Sequence, residues 1–144
     1  LKDILENKVT GDWDIIVCSD TVISFPGEVG ERETIFEKAA DREHAISMLS
    51  RLSGKKHRVV TAVCTAIKGR DVHCFTESTS VVFANIPRNT IEAYVDTGDA
   101  YGKAGAYGLQ SLAASFASRL EGDYFNVMGF PAHRFAVELT RMLY

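Results

Sequence analysis

Asp20 is the residue whose setting most clearly asks for a chemical explanation. It follows Trp13-Asp14-Ile15-Ile16-Val17-Cys18-Ser19 and is followed by Thr21-Val22. Ile15 to Ser19 carry small or apolar side chains, and a short run rich in β-branched residues predicts a buried strand. A carboxylate at the end of such a strand is costly to bury alone. It is tolerable where the strand opens into a crevice, as at the ligand sites of open α/β sheets. There it is a candidate for chemistry. The other reading is that Asp20 caps a turn or the next element. This stretch alone leaves both open.

A second stretch of chemical interest is Gly102-Lys103-Ala104-Gly105-Ala106-Tyr107-Gly108-Leu109-Gln110. Glycines at every third position suggest close backbone approach to something. The Gly-x-x-x-x-Gly-Lys-Ser/Thr pattern of a P-loop is absent. A glycine-rich loop packed on a neighbouring strand explains the spacing equally well. Other cations have bland readings. Lys8 favours the C-terminal end of a helix. Glu31 to Lys38 reads mostly as a solvated charged surface. Lys55-Lys56-His57 read as cations beyond a helix end, and His73 as a surface histidine on a strand without a second ligand.

Composition bounds the possibilities. The chain has 144 residues, 46% of them hydrophobic and 24% charged, with a net charge of −3. That is the size and makeup of one ordinary domain. A surface of this charge does not attract nucleic acid or an anionic membrane, so no such partner is expected. Any phosphate ligand must be held by a local cluster of Lys or Arg. No apolar run approaches the ~20 residues of a membrane span. Leu1-Lys2-Asp3-Ile4-Leu5 has no signal-peptide layout and no initiator Met, which reads as a trimmed or partial chain. Of the three cysteines, Cys18 and Cys64 sit in apolar runs and read as inert core thiols, suiting a cytoplasmic, reducing setting.

The elements that must position these residues follow from periodicity. Lys2 to Val9 reads as the end of a helix, and Thr10-Gly11-Asp12 as a turn. Phe25 to Gly30 has the turn chemistry of a hairpin tip. Asp41 to Leu52 is the clearest helix, with Asp41 as its N-cap and Ala45, Met48, Leu49 and Leu52 on one face. Gly54 suits the position past its end. Val59 to Ile67 predicts a central strand, Lys68 to Asp71 a turn, and Val72 to Phe83 its antiparallel partner. Pro87 opens a helix to about Asp96. Tyr124 to Met128 reads as a short strand. Pro131 opens a final helix with Phe135, Ala136, Leu139, Met142 and Leu143 on its buried face. The fold class is α/β, in one domain over 1–144, with a mixed sheet that includes at least one hairpin.

Taken in order, these segments resemble the Maf family of nucleoside triphosphate pyrophosphatases. Ser19-Asp20-Thr21-Val22 is similar to the family's Ala-Asp-Thr-Val-Val. Glu37-Lys38-Ala39 resembles its Glu-Lys-Pro segment, and Leu49 to Val59 its Leu-x-x-Leu-Ser-Gly-x-x-His-x-Val. Tyr94 to Gly98, Lys103 to Gln110 and Gly122 to Pro131 follow in the family order. The likeness is nearest to the branch that includes the Maf-like domain of acetylserotonin methyltransferase-like proteins.

The resemblance implies a two-lobed fold, related to ITP pyrophosphatases, with the nucleotide in a central cleft. It implies hydrolysis of dTTP, UTP or modified pyrimidine triphosphates to monophosphate and pyrophosphate in a house-cleaning role, with Mg²⁺ or Mn²⁺. It casts Asp20 as proton acceptor and metal ligand, and Lys38 and Lys8 as phosphate-side cations. Thr21 and Gln110 match positions tied to base choice, Lys103 is a further substrate contact, and a homodimer is the family's habit. The alternative is an impaired Maf-like domain that binds nucleotide without turnover. Two departures bear on this. The family's opening strand and Ser-x-Ser-Pro-Arg-Arg loop have no counterpart here, so an incomplete triphosphate site is expected. The family's Asp-Lys-Ala-Gly reads Gly102-Lys103-Ala104-Gly105, with Asp99 the nearest upstream acid.

Overall fold

A computed structural model describes Glu6 and residues 11–26 and 33–144. Its framework is three long strands: β1 (Ile15–Phe25), β3 (Lys56–Ile67) and β4 (His73–Phe83). Short strands flank them, β2 (Thr34–Phe36) beside β1 and β5 (Ala117–Glu121) beside β4. The order is β2-β1-β3-β4-β5. The α/β class is as expected, with β3 central; among the described residues all four strand pairings are antiparallel.

Alternation along the strands explains the core. Ile23, Val59, Val81 and Phe83 point to one face at one end of the sheet, where they meet two helices. The first, α1 (Arg42–Leu52), is the helix predicted from its apolar spacing; Asp41 Oδ1 accepts the His44 N–H at 2.8 Å. The second, α2 (Arg88–Asp96), follows Pro87. Arg42 ties the two together, donating to both carboxylate oxygens of Asp96 at 2.7 and 3.0 Å. A one-turn helix, α3 (Tyr124–Val127), packs on β3 and β4 and adds Val127 to this core, while α4 (Ala132–Leu143) lies at the His73 end of β4.

Several expectations are corrected. The charged run Glu31 to Lys38 contains β2, whose Phe36 is buried. Tyr124 to Met128 is helical rather than extended, because Asp123 caps the turn by accepting the Phe125 N–H at 2.8 Å. Asp20 lies within β1 instead of at its end, so it caps no helix or turn. The final helix buries less than its pattern predicts: Ala136 and Leu143 are exposed, while Phe135, Leu139 and Met142 are half-buried. Its buried member is Glu138, held by Arg134 at 2.7 Å, His73 at 3.1 Å and Arg141 at 3.2 Å. A buried carboxylate persists when its charge is matched in this way. His73 is thus a strand histidine, as expected, whose ring nitrogen lies within hydrogen-bond distance of Glu138.

Cys64 is not a free thiol. It stands opposite Cys74 in the β3–β4 register and is bonded to it, while Cys18 stands opposite Cys64 on β1 and is free. The inference of a reducing setting from Cys18 and Cys64 as core thiols loses the support of Cys64. The helix expected over Lys2 to Val9 lies outside the described residues except for Glu6. So does most of the hairpin tip, although Phe25 pairs with Thr34 on either side of it.

His57 is the sharpest correction. It does not cap a helix end but sits on β3, fully buried, with Nε2 2.8 Å from Tyr107 Oη and Phe83 edge-on to its ring. Burial pushes its pKa down to about 4. The neutral ring is the folded form, so the unfolded chain binds more protons below its ordinary pKa of about 6.5. Stability present above that pH is lost as pH falls toward 4. We expect the thermal midpoint to drop through this window by an amount equivalent to roughly 3 kcal/mol. His57→Gln should lose that part of the slope; an unchanged slope would contradict the assignment.

Candidate functional site

β1 brings Asp20 and Thr21 to the rim of a cavity of about 330 Å³. The loop Gly102–Gln110 forms one wall, Lys38 another, and Val127, Met128 and Gly129 a third. Asp20, Thr21, Lys38, Lys103 and Gln110 therefore all line one space. Lys8 lies outside the described residues.

Lys38 reaches the cavity through the backbone. It forms an antiparallel bridge with Ala104, and the Gly105 N–H donates to Glu37 O at 2.9 Å. The glycine loop is thus stitched to the segment that follows β2. Gly105 has φ +66, and a Cβ there would meet Ile23 Cγ1 at 2.6 Å. This glycine is needed for packing against β1. Gly102 and Gly108 line the cavity itself, so both readings of the glycine spacing hold, at different glycines.

The charges divide unevenly. Asp20 is exposed, and its Oδ1 accepts the Thr21 N–H at 3.0 Å. Lys38 is exposed, and no hydrogen bond or ion pair to a described residue holds its ammonium. Lys103 is half-buried and committed: its Nζ donates to Asp99 Oδ1 at 2.9 Å and also to the Asp99 carbonyl. The hydrogen bond from Ser111 to Asp99 Oδ2, with the Lys103 bond beside it, holds the Asp99 carboxyl below the usual carboxylate range. Asp99, the nearest acid upstream of Gly102, is the partner of Lys103. It clamps the lysine and leaves its aliphatic stem to shape the cavity. Sequence reasoning gave no role to Asp99, Glu37, Tyr107 or the Val127–Gly129 wall. Glu37, Tyr107 and the Val127–Gly129 wall lay in the matched segments and Asp99 just outside them, and their partners become visible only in three dimensions.

No group of three or more His, Cys, Asp or Glu among the described residues forms a ready-made metal site. Asp20 and Glu37 line one smaller cavity together with Lys38. One or two carboxylates with substrate phosphates and water are the usual set for Mg²⁺, so the residues present fit a metal that arrives with a phosphorylated ligand. The apolar part of the main cavity, from Ile23, Val59, Tyr107 and Val127, suits a flat ring.

Gly108 is the test of this wall. A Cβ there would lie 2.8 Å from both Gln110 Oε1 and Lys103 Cδ, while its φ is unremarkable. Gly108→Ala should keep the fold within about 1 kcal/mol and weaken nucleotide binding about tenfold by displacing Gln110. Unchanged binding by titration calorimetry would remove Gln110 from the site.

The comparisons with known proteins agree with this geometry. The family model for Maf-like protein matches residues 2–142. A dTTP/UTP pyrophosphatase of Symbiobacterium thermophilum is 42% identical over 130 residues, covering 90% of this chain and 63% of that protein. The dTTP/UTP pyrophosphatase of Alkaliphilus oremlandii is 39% identical, covering 96% of the chain and 68% of that protein. A human protein named probable bifunctional dTTP/UTP pyrophosphatase/methyltransferase protein is 33% identical, covering 91% of the chain and 21% of that protein. The chain spans about three fifths of the length of the first of these relatives. With the family model covering nearly every residue and these identities on either side of 40%, the chain belongs to the Maf-like protein family.

Proposed function

We propose that this chain carries the catalytic cleft of a nucleoside triphosphate pyrophosphatase acting on dTTP, UTP or a modified pyrimidine triphosphate. The observation that carries the reading is the convergence of an exposed carboxylate, Asp20, and an uncommitted ammonium, Lys38, on a cavity with an apolar wall. The relatives' printed names support the same substrate class.

Hydrolysis between the α and β phosphates asks for a base, for positive charge on the phosphates and for a held nucleobase. Asp20 accepts the proton of the attacking water. Its bond to the Thr21 amide holds one oxygen, Oδ1, and leaves Oδ2 toward solvent. Lys38 neutralises phosphate oxygens. Thr21 and Gln110 meet the base, and Tyr107, braced by His57 and Phe83, backs the apolar wall. A divalent metal held by Asp20, with Glu37 beside it, would supply further charge on the phosphates. The reading includes a cytoplasmic setting, where nucleotide pools lie and where the Cys64–Cys74 bond would be reduced.

A second reading, nucleotide binding without turnover, draws on one observation. Lys103 is neutralised by Asp99, so Lys38 is the uncommitted cation among the described residues lining the cavity. Pyrophosphate release from a panel of nucleoside triphosphates with Mg²⁺ separates the two. We expect turnover of dTTP and UTP, and a loss of about 100- to 1,000-fold in kcat in Asp20→Asn with little change in KM. Full activity in Asp20→Asn would sink the catalytic reading. Binding without pyrophosphate release would favour the second.

A further inference from the structure

Thr21 is half-buried, and its Oγ1 lies 2.9 Å from Thr61 Oγ1. By itself this contact does not say which hydroxyl donates. The next link decides. Thr61 Oγ1 is 3.2 Å from the backbone carbonyl of Asn126, and a carbonyl only accepts. Thr61 has a single hydroxyl proton, and it goes to that carbonyl. Thr61 must therefore accept from Thr21. The Thr21 proton points into the protein, and a lone pair is what Thr21 presents to the cavity.

The anchor of this chain is rigid. Asn126 is fully buried, and its Nδ2 donates to Val59 O at 3.1 Å and Thr79 Oγ1 at 3.0 Å. Thr79 in turn donates to Asp123 O at 3.0 Å. The Asn126 carbonyl also accepts the Gly129 N–H at 3.0 Å. Gly129 belongs to the cavity wall, and a Cβ there would be 3.7 Å from Thr21 Oγ1. Reversing the Thr61 hydroxyl would forfeit its bond to the carbonyl and leave that oxygen with the Gly129 N–H alone, which is unfavourable in a buried site.

We propose that Thr61 is a positioning residue for base selection: it turns Thr21 into a fixed acceptor for a pyrimidine whose N3 carries hydrogen. Uracil and thymine offer that N3–H, whereas cytosine offers a lone pair at N3 and meets a lone pair. Gln110 cannot make this distinction alone, because its carboxamide presents donor and acceptor ends and can turn. The inference rests on the nucleotide reading above and adds the device that sets its base preference.

The test is the ratio of kcat/KM for UTP to that for CTP in the wild type, Thr61→Val and Thr61→Ser. Valine removes the acceptor and frees the Thr21 hydroxyl to donate, so the ratio should fall about tenfold, mainly through KM. Serine keeps the chain and should keep the ratio. A merely structural loss would lower both nucleotides together, so an unchanged ratio in Thr61→Val overturns the proposal. Should Thr61→Val not fold, Thr21→Val serves in its place, and a preserved UTP preference there overturns it as well. Titration with UTP and CTP provides the same comparison for a chain that binds without turnover. Wild-type binding to both nucleotides equally overturns this inference alone. Binding to neither overturns the nucleotide reading and this inference with it.

Discussion

The antiparallel pairing of β1 with β3 is the constraint on which the rest of the site depends. Its register sets Thr21 opposite Thr61, Asp20 opposite Ala62 and Ile23 opposite Val59. A slip of one residue would turn every side chain of β1 to the other face. Ile23 and Phe25 oppose such a slip, because they are buried among the residues of α1, α2 and the Gly105 loop. An apolar anchor at one end of the strand thus places polar chemistry at its middle. The same strand that closes the core presents Asp20 and Thr21 to the cavity.

Charge is arranged by commitment as much as by presence. Lys38 and Lys103 both line the cavity, but they are not equivalent. Asp99 and Ser111 hold Lys103 in place, so it stiffens the loop that carries Gln110. The Lys38 ammonium has no such partner among the described residues. A similar logic governs α4, where the buried Glu138 is surrounded by Arg134, Arg141 and His73. Neither acid is a catalyst by virtue of being buried or shifted; each holds two elements together.

Buried polar groups do the remaining positioning. His57 and Tyr107 support one cavity wall from within the core, and Asn126 supports another. The glycine loop is narrow for the same reason: Gly105 admits no side chain against Ile23, and Gly108 leaves room for Gln110. These groups decide where a ligand can lie without touching its reacting atoms.

Much of this was legible in the linear chain. The helix Arg42–Leu52 with its Asp41 cap, the strands β3 and β4 and their hairpin, and the helix after Pro87 follow from periodicity and capping, which are local. The candidacy of Asp20 showed in its setting, a carboxylate after an apolar run, whereas that of Thr21, Lys38, Lys103 and Gln110 came from the resemblance of their segments to the Maf family. What local signals could not carry were partners distant along the chain. Asp99 on Lys103, Asn126 behind Thr61, Tyr107 on His57 and Cys74 beside Cys64 are contacts made by the sheet register and loop packing. The turn at Tyr124–Val127 is helical because the Asp123 cap and the buried bonds of Asn126 outweigh a strand-like composition. By itself the sequence determined most of the elements, because propensity and patterning act over a few neighbours, and it offered the candidate residues through one unusual setting and a family resemblance. The tertiary structure alone decided which charges stay free and which way a hydroxyl points, because those depend on groups that folding brings together.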